Sequence, residues 1–325
     1  KQTKTHQNRR YLMSLDKNYL DHFIKVTELA AFGASPFIGK GDKNAADQGA
    51  VDNMRNELNK IDMDATIVIG EGEMDEAPML HIGEKVGTKK GSELDIALDP
   101  LEGTNFTAKN LPNAFSVLAV AEKGNLLSAP DTYMQKIAIG SNLPANLLDL
   151  DNSVEKNINL LADAKNKKPS ELSACLLNRP RHKKIIDTLK RLNVKIDFIT
   201  DGDIAGALSV IGDSPKNDIY LGTGGGPEGV ITAAALSCYG GQIQGRLVLD
   251  EAQIQRAKKL GIKDLKKKYR IDDMASGDII FCATGVTDGE LVQGVVVSDN
   301  NFKVNTLALH KSHNIKKKVT NIHKK

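Results

Sequence analysis

The sequence contains no tryptophan, and aromatic residues make up only 4% of its 325 residues. Proteins that bind single-stranded nucleic acid without sequence preference stack bases on aromatic rings, so we predict no nucleic-acid partner. No apolar run approaches the roughly 18–20 residues that a membrane-spanning helix needs, and we predict no membrane partner. The basic, polar stretch 1–11 also lacks the apolar core of a secretory signal.

Cysteine is scarce as well. The three cysteines, Cys175, Cys238 and Cys282, lie far apart beside apolar neighbours, and none belongs to a C-x-x-C pair. An odd number of isolated cysteines disfavours both a disulfide framework and a zinc site. We therefore predict three buried, reduced thiols and a cytoplasmic location.

The remaining composition is ordinary for a globular protein, with 40% hydrophobic and 26% charged residues and a net charge of +3. The length fits one large domain or two packed lobes. Lysines cluster at 266–268, 316–318 and 324–325. We interpret these clusters as solvated faces or frayed ends, with contact to an acidic partner as the alternative.

Hydrophobic periodicity predicts a mixed α/β fold. In the first half it predicts helices at 19–32 and 43–61 and strands at 65–69, 94–98, 115–121 and 136–139. In the second half, strands at 172–177, 194–199 and 218–221 alternate with helices at 182–192, 204–211 and 230–239. This alternation predicts parallel βαβ units whose loops meet at the carboxyl ends of the strands.

Acidic residues stand just beyond predicted strand ends or near a helix start: Asp47, Glu71, Asp99 and Glu102. Because Pro100 is expected to fix the turn after its strand, Asp99 and Glu102 are predicted to point into one cavity. Two such charges about 4 Å apart repel by about 4 kcal/mol at an effective dielectric near 20. Burying several of them requires cations, and oxygen donors without His or Cys suit Mg²⁺ or Mn²⁺.

Gly103 and Thr104 lead into a predicted short helix. The amide groups at a helix N-terminus can bind phosphate oxygens, and the Thr104 hydroxyl can orient a water molecule. Phosphate esters hydrolyse very slowly without catalysis, and clustered metals beside such amides meet that need. The residues therefore predict a metal-dependent phosphatase, and the alternative is that these acids are surface residues and strand ends.

A series of motifs in order between about residue 19 and residue 313 resembles the class II (GlpX-type) fructose-1,6-bisphosphatases. The motifs lie at 39–47, 69–78, 99–104, 129–134, 179–182, 201–203 and 224–229. The resemblance implies a layered α-β-α-β-α sandwich related to inositol monophosphatases. It also implies gluconeogenic hydrolysis of the 1-phosphate of fructose 1,6-bisphosphate, a Mn²⁺ or Mg²⁺ requirement, and a dimer or tetramer.

The same resemblance assigns roles to individual residues. It implies that the metal ligands are Asp47, Glu71, Asp99, Glu102 and Glu228. It implies that Thr104 positions the attacking water, with support from Asp75 and Lys43. It implies that the substrate is bound by Glu102, Gly103, Thr104, Tyr133, Arg179, Pro180, Arg181, Asp201, Gly202, Asp203 and Gly225. Arg179 departs from the family, where many members have Lys.

Together these readings divide the chain into a disordered extension at 1–13, a metal-binding lobe at 14–145 and a sugar-phosphate-binding lobe at 146–325, packed as one catalytic unit. His182 is interpreted as a surface residue or a substrate contact. His310 and His313 have no acidic partner nearby in the sequence.

Several alternatives remain open from the sequence. Sedoheptulose 1,7-bisphosphate shares the reacting end of the sugar, and an inositol phosphatase would use related chemistry. Gly224, Gly226 and Gly229 fit a G-x-G-x-x-G dinucleotide pattern, with Asp250 about 20 residues on. Asp201 could be the nucleophile of a haloacid-dehalogenase-like phosphatase with magnesium at 272–273. A regulator that binds a metal or a sugar phosphate without turnover is a further alternative.

Overall fold

The computed structural model describes residues 15–72 and 79–325. The predicted extension at 1–13 and the candidate residue Asp75 lie outside the described residues. The helices are α1 (Asn18–Ala34), α2 (Lys43–Leu58), α3 (Thr104–Ala108), α4 (Val154–Ala164), α5 (Lys183–Arg191), α6 (Asp203–Leu208), α7 (Gly226–Tyr239), α8 (Glu251–Lys259) and α9 (Ile271–Met274). Short 3₁₀ turns cover Ser35–Phe37, Pro169–Glu171 and Pro180–His182.

The strands form two mixed sheets. They are β1 (Met63–Ile69), β2 (Lys85–Val86), β3 (Ser92–Glu102), β4 (Phe115–Glu122), β5 (Tyr133–Ile139), β6 (Ser173–Leu177), β7 (Lys195–Ile199), β8 (Ile219–Gly225), β9 (Gln242–Val248), β10 (Tyr269–Arg270), β11 (Ile279–Gly285), β12 (Val296–Val297), β13 (Asn301–His310) and β14 (Ile315–Lys324). The first sheet has the order β12-β13-β11-β4-β3-β1-β2, with β14 paired to β13. The second has the order β10-β9-β5-β8-β6-β7.

Three hydrophobic cores show how the layers stack. Phe23 of α1 and Met54 of α2 pack with Ile96 and Leu118 on one face of the first sheet. The other face of that sheet packs against α7 and the second sheet. Helices α4 and α5 cover the far face of the second sheet. The layered α-β-α-β-α sandwich predicted from the sequence is therefore confirmed.

The strand pairing in the second sheet is more mixed than the predicted βαβ series. β6 pairs in parallel with β7 and β8, as expected, but β5 pairs antiparallel with both β8 and β9. β5 therefore lies between two strands that follow it by about 80 and 100 residues. Local periodicity cannot reveal such an insertion, because strand order depends on contacts distant in sequence.

The two-lobe division near residue 145 stays a prediction. The sheets do not divide the chain at that position, because β5 already belongs to the second sheet and β11 to β14 return to the first. Among the described residues, no helix combines the length and apolarity needed to cross a bilayer.

A buried acidic partner for His310 appears only in three dimensions. Nε2 of His310 lies 3.0 Å from a carboxylate oxygen of Asp278, and both residues are buried. The amides of Leu15, Ile279 and Ser312 donate to the same carboxylate. These hydrogen bonds and His310 hold the pKa of Asp278 far below its usual range despite burial. Asp278 thus ties the β13–β14 turn to the start of the described chain.

Candidate active site

An acidic cavity of about 610 Å³ lies where β1 and β3 end, beside the first turns of α2 and α7. It brings together all five predicted metal ligands, together with Lys43, Gly103 and Thr104 from the other predicted roles. The carboxylates that line it are Asp47, Glu71, Asp99, Glu102, Asp131, Asp201 and Glu228. Sequence reasoning did not single out Asp131.

Asp99 and Glu102 reach this cavity because of a bulge. The sequence predicts that this strand ends just before Asp99, but β3 continues through Glu102. Asp99 pairs with Val117 and Glu102 with Phe115, so one extra residue is inserted in β3 between these pairs. Residues three apart on a regular strand point to opposite faces of the sheet. Because the bulge inserts one extra residue, the side chains of Asp99 and Glu102 point to the same face. Pro100 is tolerated there because a bulged residue needs no ladder hydrogen bond.

Glu71 and Asp47 come from the ends of two other elements. Glu71 follows β1 by two residues, and its backbone amide donates to the Leu80 carbonyl oxygen at 2.9 Å. Asp47 lies near the start of α2, where the Asp42 carboxylate accepts from the Ala45 amide at 2.9 Å. Such an N-cap fixes where the helix begins, and it places Asp47 at the cavity wall.

Thr104 lines this cavity, and its hydroxyl makes no hydrogen bond to a described residue. Thr104 is the first residue of α3, after Gly103 with a φ of +86°. A residue with a Cβ is strained at this φ, so glycine allows the sharp turn from β3 into α3. Backbone amides of Gly39 and Gly41 donate to the carbonyl oxygens of Thr107 and Ala108 at 2.9 Å. These bonds hold the loop before α2 against α3.

The carboxylates raise one another's pKa values. Burial, followed by the charges of Asp99 and Asp47, raises the pKa of Glu71 to about 8. Burial and Asp99 raise the pKa of Asp47 to about 6. Burial also raises the pKa of Glu228 to about 7, although the Lys136 cation opposes that shift. Burial and the neighbouring Asp99 raise the pKa of Glu102 well above its usual value.

This donor set fits hard divalent cations. The oxygen Oε2 of Glu228 is buried and has no hydrogen-bond partner within residues 15–72 and 79–325. An orphaned buried carboxylate oxygen calls for a cation or another unseen partner. Oxygen donors without sulfur or imidazole are the ligands that Mg²⁺ and Mn²⁺ prefer. The residues present therefore fit the predicted metal site.

A second, smaller cavity of about 360 Å³ adjoins the acidic one and shares Glu102, Asp131, Asp201 and Glu228 with it. Its other walls include most of the predicted sugar-phosphate residues: Tyr133, Arg179, Arg181, Asp203 and Gly225. Pro180 begins the 3₁₀ turn between the two arginines, and Gly202 adopts a φ of +78° between the two aspartates.

Arg181 is held rigidly at this cavity. Its Nε and Nη2 donate to the Thr223 carbonyl oxygen at 3.1 and 2.6 Å. Its guanidinium carbon lies 4.8 Å from the centroid of the exposed Tyr133 ring. A guanidinium has five N–H donors, so donors remain for an anion in the cavity.

Asp203 lines the predicted substrate cavity and is also engaged by donors from the protein itself. Its carboxylate accepts from the Gly225 amide at 3.0 Å, from the Tyr220 hydroxyl and from the Lys136 ammonium. These hydrogen bonds position the 201–203 turn, and the substrate contact of Asp203 stays a prediction. Asp201 is exposed and makes no side-chain hydrogen bond among the described residues.

Lys136 is the residue that sequence reasoning missed. It is 1% exposed, and its ammonium donates to the Gly225 carbonyl oxygen at 2.7 Å as well as to Asp203. The sequence predicts only an apolar strand at 136–139. A lysine inside such a strand was the available signal, since lysine is almost never fully buried unless it is paired.

His182 is not a surface residue. It is 1% exposed, its Nδ1 lies 2.7 Å from the Leu177 carbonyl oxygen, and its Nε2 accepts from the Thr223 amide at 2.8 Å. Both ring nitrogens are therefore used. The physical role of His182 is to hold the Thr223 backbone that Arg181 also contacts.

The dinucleotide pattern is contradicted by what surrounds its glycines. A strand and a helix do flank 224–229, as the pattern requires. However, the carboxylates of Asp203 and Glu228 lie directly beside Gly224 and Gly225, where they would repel a pyrophosphate. Asp250 caps α8 by accepting from the Gln253 amide at 2.8 Å.

The haloacid-dehalogenase alternative is also contradicted. It needs acidic residues at 272–273 beside Asp201, and neither lines the cavities that Asp201 lines. Asp273 instead pairs with Lys267 at 2.7 Å.

Comparisons with known proteins point to one family. A family model described as bacterial fructose-1,6-bisphosphatase, glpX-encoded, matches residues 17–323. The chain is 40% identical over 316 residues to fructose-1,6-bisphosphatase 1 class 2 of Escherichia coli (strain K12), covering 93% of this chain and 94% of that protein. Fructose-1,6-bisphosphatase class 2 of Haemophilus influenzae (strain ATCC 51907 / DSM 11121 / KW20 / Rd) matches with the same identity and coverage.

Solved structures show weaker similarity. An extragenic suppressor from Pyrococcus furiosus gives a TM-score of 0.31 at 16% identity, over 59% of this chain and 70% of that chain. An inositol monophosphatase from Anabaena (Nostoc) sp. PCC 7120 gives 0.30 at 12% identity, over 59% and 69%.

Proposed function

The chain belongs to the bacterial, glpX-encoded fructose-1,6-bisphosphatase family and is a class 2 fructose-1,6-bisphosphatase; we propose that its acidic cavity binds the 1-phosphate that is removed and that the adjoining cavity binds the phosphate that is retained. The observation that carries this proposal is the shared wall between the acidic cavity and the arginine-lined cavity. A bisphosphate can place its reacting end among the carboxylates and its retained phosphate beside Arg181.

The acidic cavity would hold the metal. Asp47, Glu71, Asp99, Glu102 and Glu228 are the proposed ligands, and Mn²⁺ or Mg²⁺ is the proposed ion. When bound, such ions neutralise phosphate charge and lower the pKa of water. The clustered carboxylates and the orphaned Glu228 oxygen support this assignment.

The chain's own residues would orient the reaction. The free Thr104 hydroxyl would accept or donate a hydrogen bond to the attacking water, and the start of α3 would direct amides at the phosphate. Lys43 lines the same cavity and offers a cation to the transferred group. Asp75 is proposed to support the proton transfer, and it lies outside the described residues.

The retained phosphate would bind the two arginines, because a guanidinium can form paired hydrogen bonds with phosphate oxygens. Asp201 would accept hydrogen bonds from sugar hydroxyls. Sedoheptulose 1,7-bisphosphate remains an alternative substrate, since the same walls would contact it.

Substrate and metal can be tested together by measuring phosphate release from fructose 1,6-bisphosphate, sedoheptulose 1,7-bisphosphate and inositol 1-phosphate. We expect turnover of the bisphosphates with Mn²⁺ or Mg²⁺ and loss of turnover with a chelator. Inositol 1-phosphate lacks the second phosphate that Arg181 would bind, so it serves as the control. Activity that survives chelation, or turnover of inositol 1-phosphate alone, would contradict the proposal.

Metal binding should depend on pH because the ligands hold protons in the metal-free protein. The pKa values of Glu71, Glu228 and Asp47 are raised to about 8, 7 and 6, so a cation must displace these protons at lower pH. We expect Mn²⁺ affinity to rise between pH 6 and pH 8 and then level off. Titration calorimetry at several pH values measures this.

The raised pKa values of these carboxyls also determine whether the metal-free protein becomes more or less stable as the pH rises. A carboxyl whose folded pKa is raised holds more protons in the folded state than in the unfolded state, so stability falls as pH rises between the two values. We expect the Tm of the chelated protein to fall from about pH 5 to pH 8, and Mn²⁺ to raise Tm most at the higher pH. A flat Tm profile would contradict this.

We further propose that the enzyme acts in gluconeogenesis in the cytoplasm as a dimer or tetramer. The three cysteines support a reducing compartment, since each is free and buried.

A further inference from the structure

A third cavity of about 460 Å³ lies behind the turn that holds the substrate aspartates. Asp201 and Gly202 line it. So do Ala205 and Leu208 of α6 and Ser209, which directly follows α6. Asp201 also lines both cavities of the active site. One turn of the chain therefore separates this rear cavity from the bound substrate.

The opposite wall of the rear cavity is formed by strands β13 and β14. Lys316 pairs with Leu309 and Lys318 with Leu307 across these strands. Directly opposed residues of an antiparallel pair share a face of the sheet. Leu307 and Leu309 belong to the core between the two sheets, so Lys316 and Lys318 lie on the face that borders the cavity.

Lys317 lies on the other face of the same strand. It pairs with Ala308, which belongs to the core under α1. Lys317 is among the residues that line the rear cavity, but this register directs its side chain to the opposite face of the strand pair. Lys317 is therefore a matched control for the two cavity-facing lysines.

Some of the charged residues around the rear cavity form ion pairs, and others do not. Lys216 is engaged by Asp197 and Glu290 at 2.8 and 2.7 Å. Lys316 and Lys318 form no ion pair with any described residue, and the Lys316 ammonium lies 5.1 Å from the centroid of the Tyr239 ring.

Two carboxylates near α6, Asp201 and Asp213, also lack ion-pair partners among the described residues, and Ser214 lies beside Asp213 in the lining. The cavity therefore has free cations on one wall and free hydrogen-bond acceptors on the other.

We propose that the rear cavity binds a small phosphorylated metabolite that carries hydroxyl groups, and that its occupancy changes the KM for the sugar bisphosphate. The phosphate lies between Lys316 and Lys318, because two neighbouring ammonium groups suit a dianion. The hydroxyl groups point to Asp213 and Ser214. The volume falls in the range of small-molecule sites, roughly 300–1,000 Å³.

The coupling follows from packing. A ligand in the rear cavity contacts Ala205 and Leu208 on α6, and the Asp203 carboxylate at the start of the same helix is tied to Gly225 and Lys136. A shift of α6 therefore moves Asp201 and Asp203 relative to Arg181. Linkage requires that the bisphosphate change the affinity of the rear ligand by the same factor.

Calorimetric titration of the Mn²⁺-loaded enzyme with ribose 5-phosphate and with inorganic phosphate tests the binding. We expect the wild type and Lys317→Ala to bind with the same number of site classes, which include the metal-loaded cavity and the Arg181 cavity. The double variant Lys316→Ala/Lys318→Ala should lose one of these classes, and Arg181→Ala should lose a different one. Equal binding in the double variant and the wild type would overturn the proposal.

Initial rates test the coupling. Without ribose 5-phosphate, the KM values of the wild type, Lys317→Ala and the double variant should agree. With it, we expect KM in the wild type and Lys317→Ala to differ about fivefold from KM in the double variant. Competition between ribose 5-phosphate and the sugar bisphosphate for Arg181 affects all three proteins equally. It therefore cannot produce a difference in KM between them. Binding without any difference in KM would also overturn the proposal.

Discussion

Thr104→Ala should lower kcat by about 10²-fold or more while KM changes little. The expected loss follows from the position of the hydroxyl. Thr104 lines the acidic cavity beside the proposed metal ligands, and its hydroxyl has no partner among the described residues. A group that orients the attacking water acts mainly in the transition state, so its removal affects kcat rather than substrate binding.

Thr104→Ser is the matched control, because it keeps the hydroxyl and removes only a methyl group. We expect the serine variant to retain kcat within about tenfold of the wild type. Steady-state rates with fructose 1,6-bisphosphate at saturating Mn²⁺ give both constants. If alanine and serine reduce kcat equally, Thr104 acts through packing of α3 and not through its hydroxyl.

Lys136→Met should destabilise the protein by about 3–5 kcal/mol, because removing one partner of a buried ion pair leaves the other charge uncompensated. Lys136 is 1% exposed and pairs with Asp203, which is also buried. Since typical domains are stable by only about 5–15 kcal/mol, this is a large fraction of the total. Urea unfolding followed by circular dichroism measures the change.

The double variant Lys136→Met/Asp203→Asn separates charge from packing. It removes both charges, so its unfolding free energy should lie above that of Lys136→Met, a non-additive result typical of residues in contact. Lys184→Met, at an exposed position of α5, should change stability by less than about 0.5 kcal/mol. Strict additivity would show that the ion pair does not stabilise the turn.

Variants of Lys136 that remain folded also test whether the 201–203 turn positions the substrate. The turn at 201–203 is fastened to β5 through Lys136 and to β8 through Tyr220 and Gly225. Loosening it should raise KM for the bisphosphate more than it lowers kcat, because Asp201 is proposed to contact the sugar and not the reacting phosphate. An unchanged KM in Lys136→Met would contradict this positioning role.

Much of the candidate site was predictable because its chemistry is local in the sequence. The acids at Asp47, Glu71, Asp99, Glu102 and Glu228 each follow a strand or begin a helix, and their residue types alone indicate a hard cation. The structure places all five in one cavity. The reason given for Asp99 and Glu102 was wrong in detail, since a bulge inside β3 aligns them and not a turn after it.

Other features could not be predicted because they depend on contacts between distant segments. The resemblance implies that Asp203 binds the substrate, but it does not indicate that Lys136, Tyr220 and Gly225, which lie 67, 17 and 22 residues away, donate to its carboxylate. The sequence predicts a surface residue or a substrate contact at His182, yet Leu177 and Thr223 use both of its ring nitrogens. No local pattern encodes these partners.

The sequence by itself determined the mixed α/β class, which follows from local periodicity, and the clustering of acidic residue types around Thr104, which predicts a hard cation from residue chemistry. The layered architecture and the family came from the resemblance of its ordered motifs. Only the tertiary structure decided that β5 lies between β8 and β9, that Lys136 is buried against Asp203, and that Asp201 lines both the active-site cavities and a rear cavity. Strand order and the burial of charge are set by segments far apart in the chain, where the balance between desolvation and pairing is a property of the whole fold.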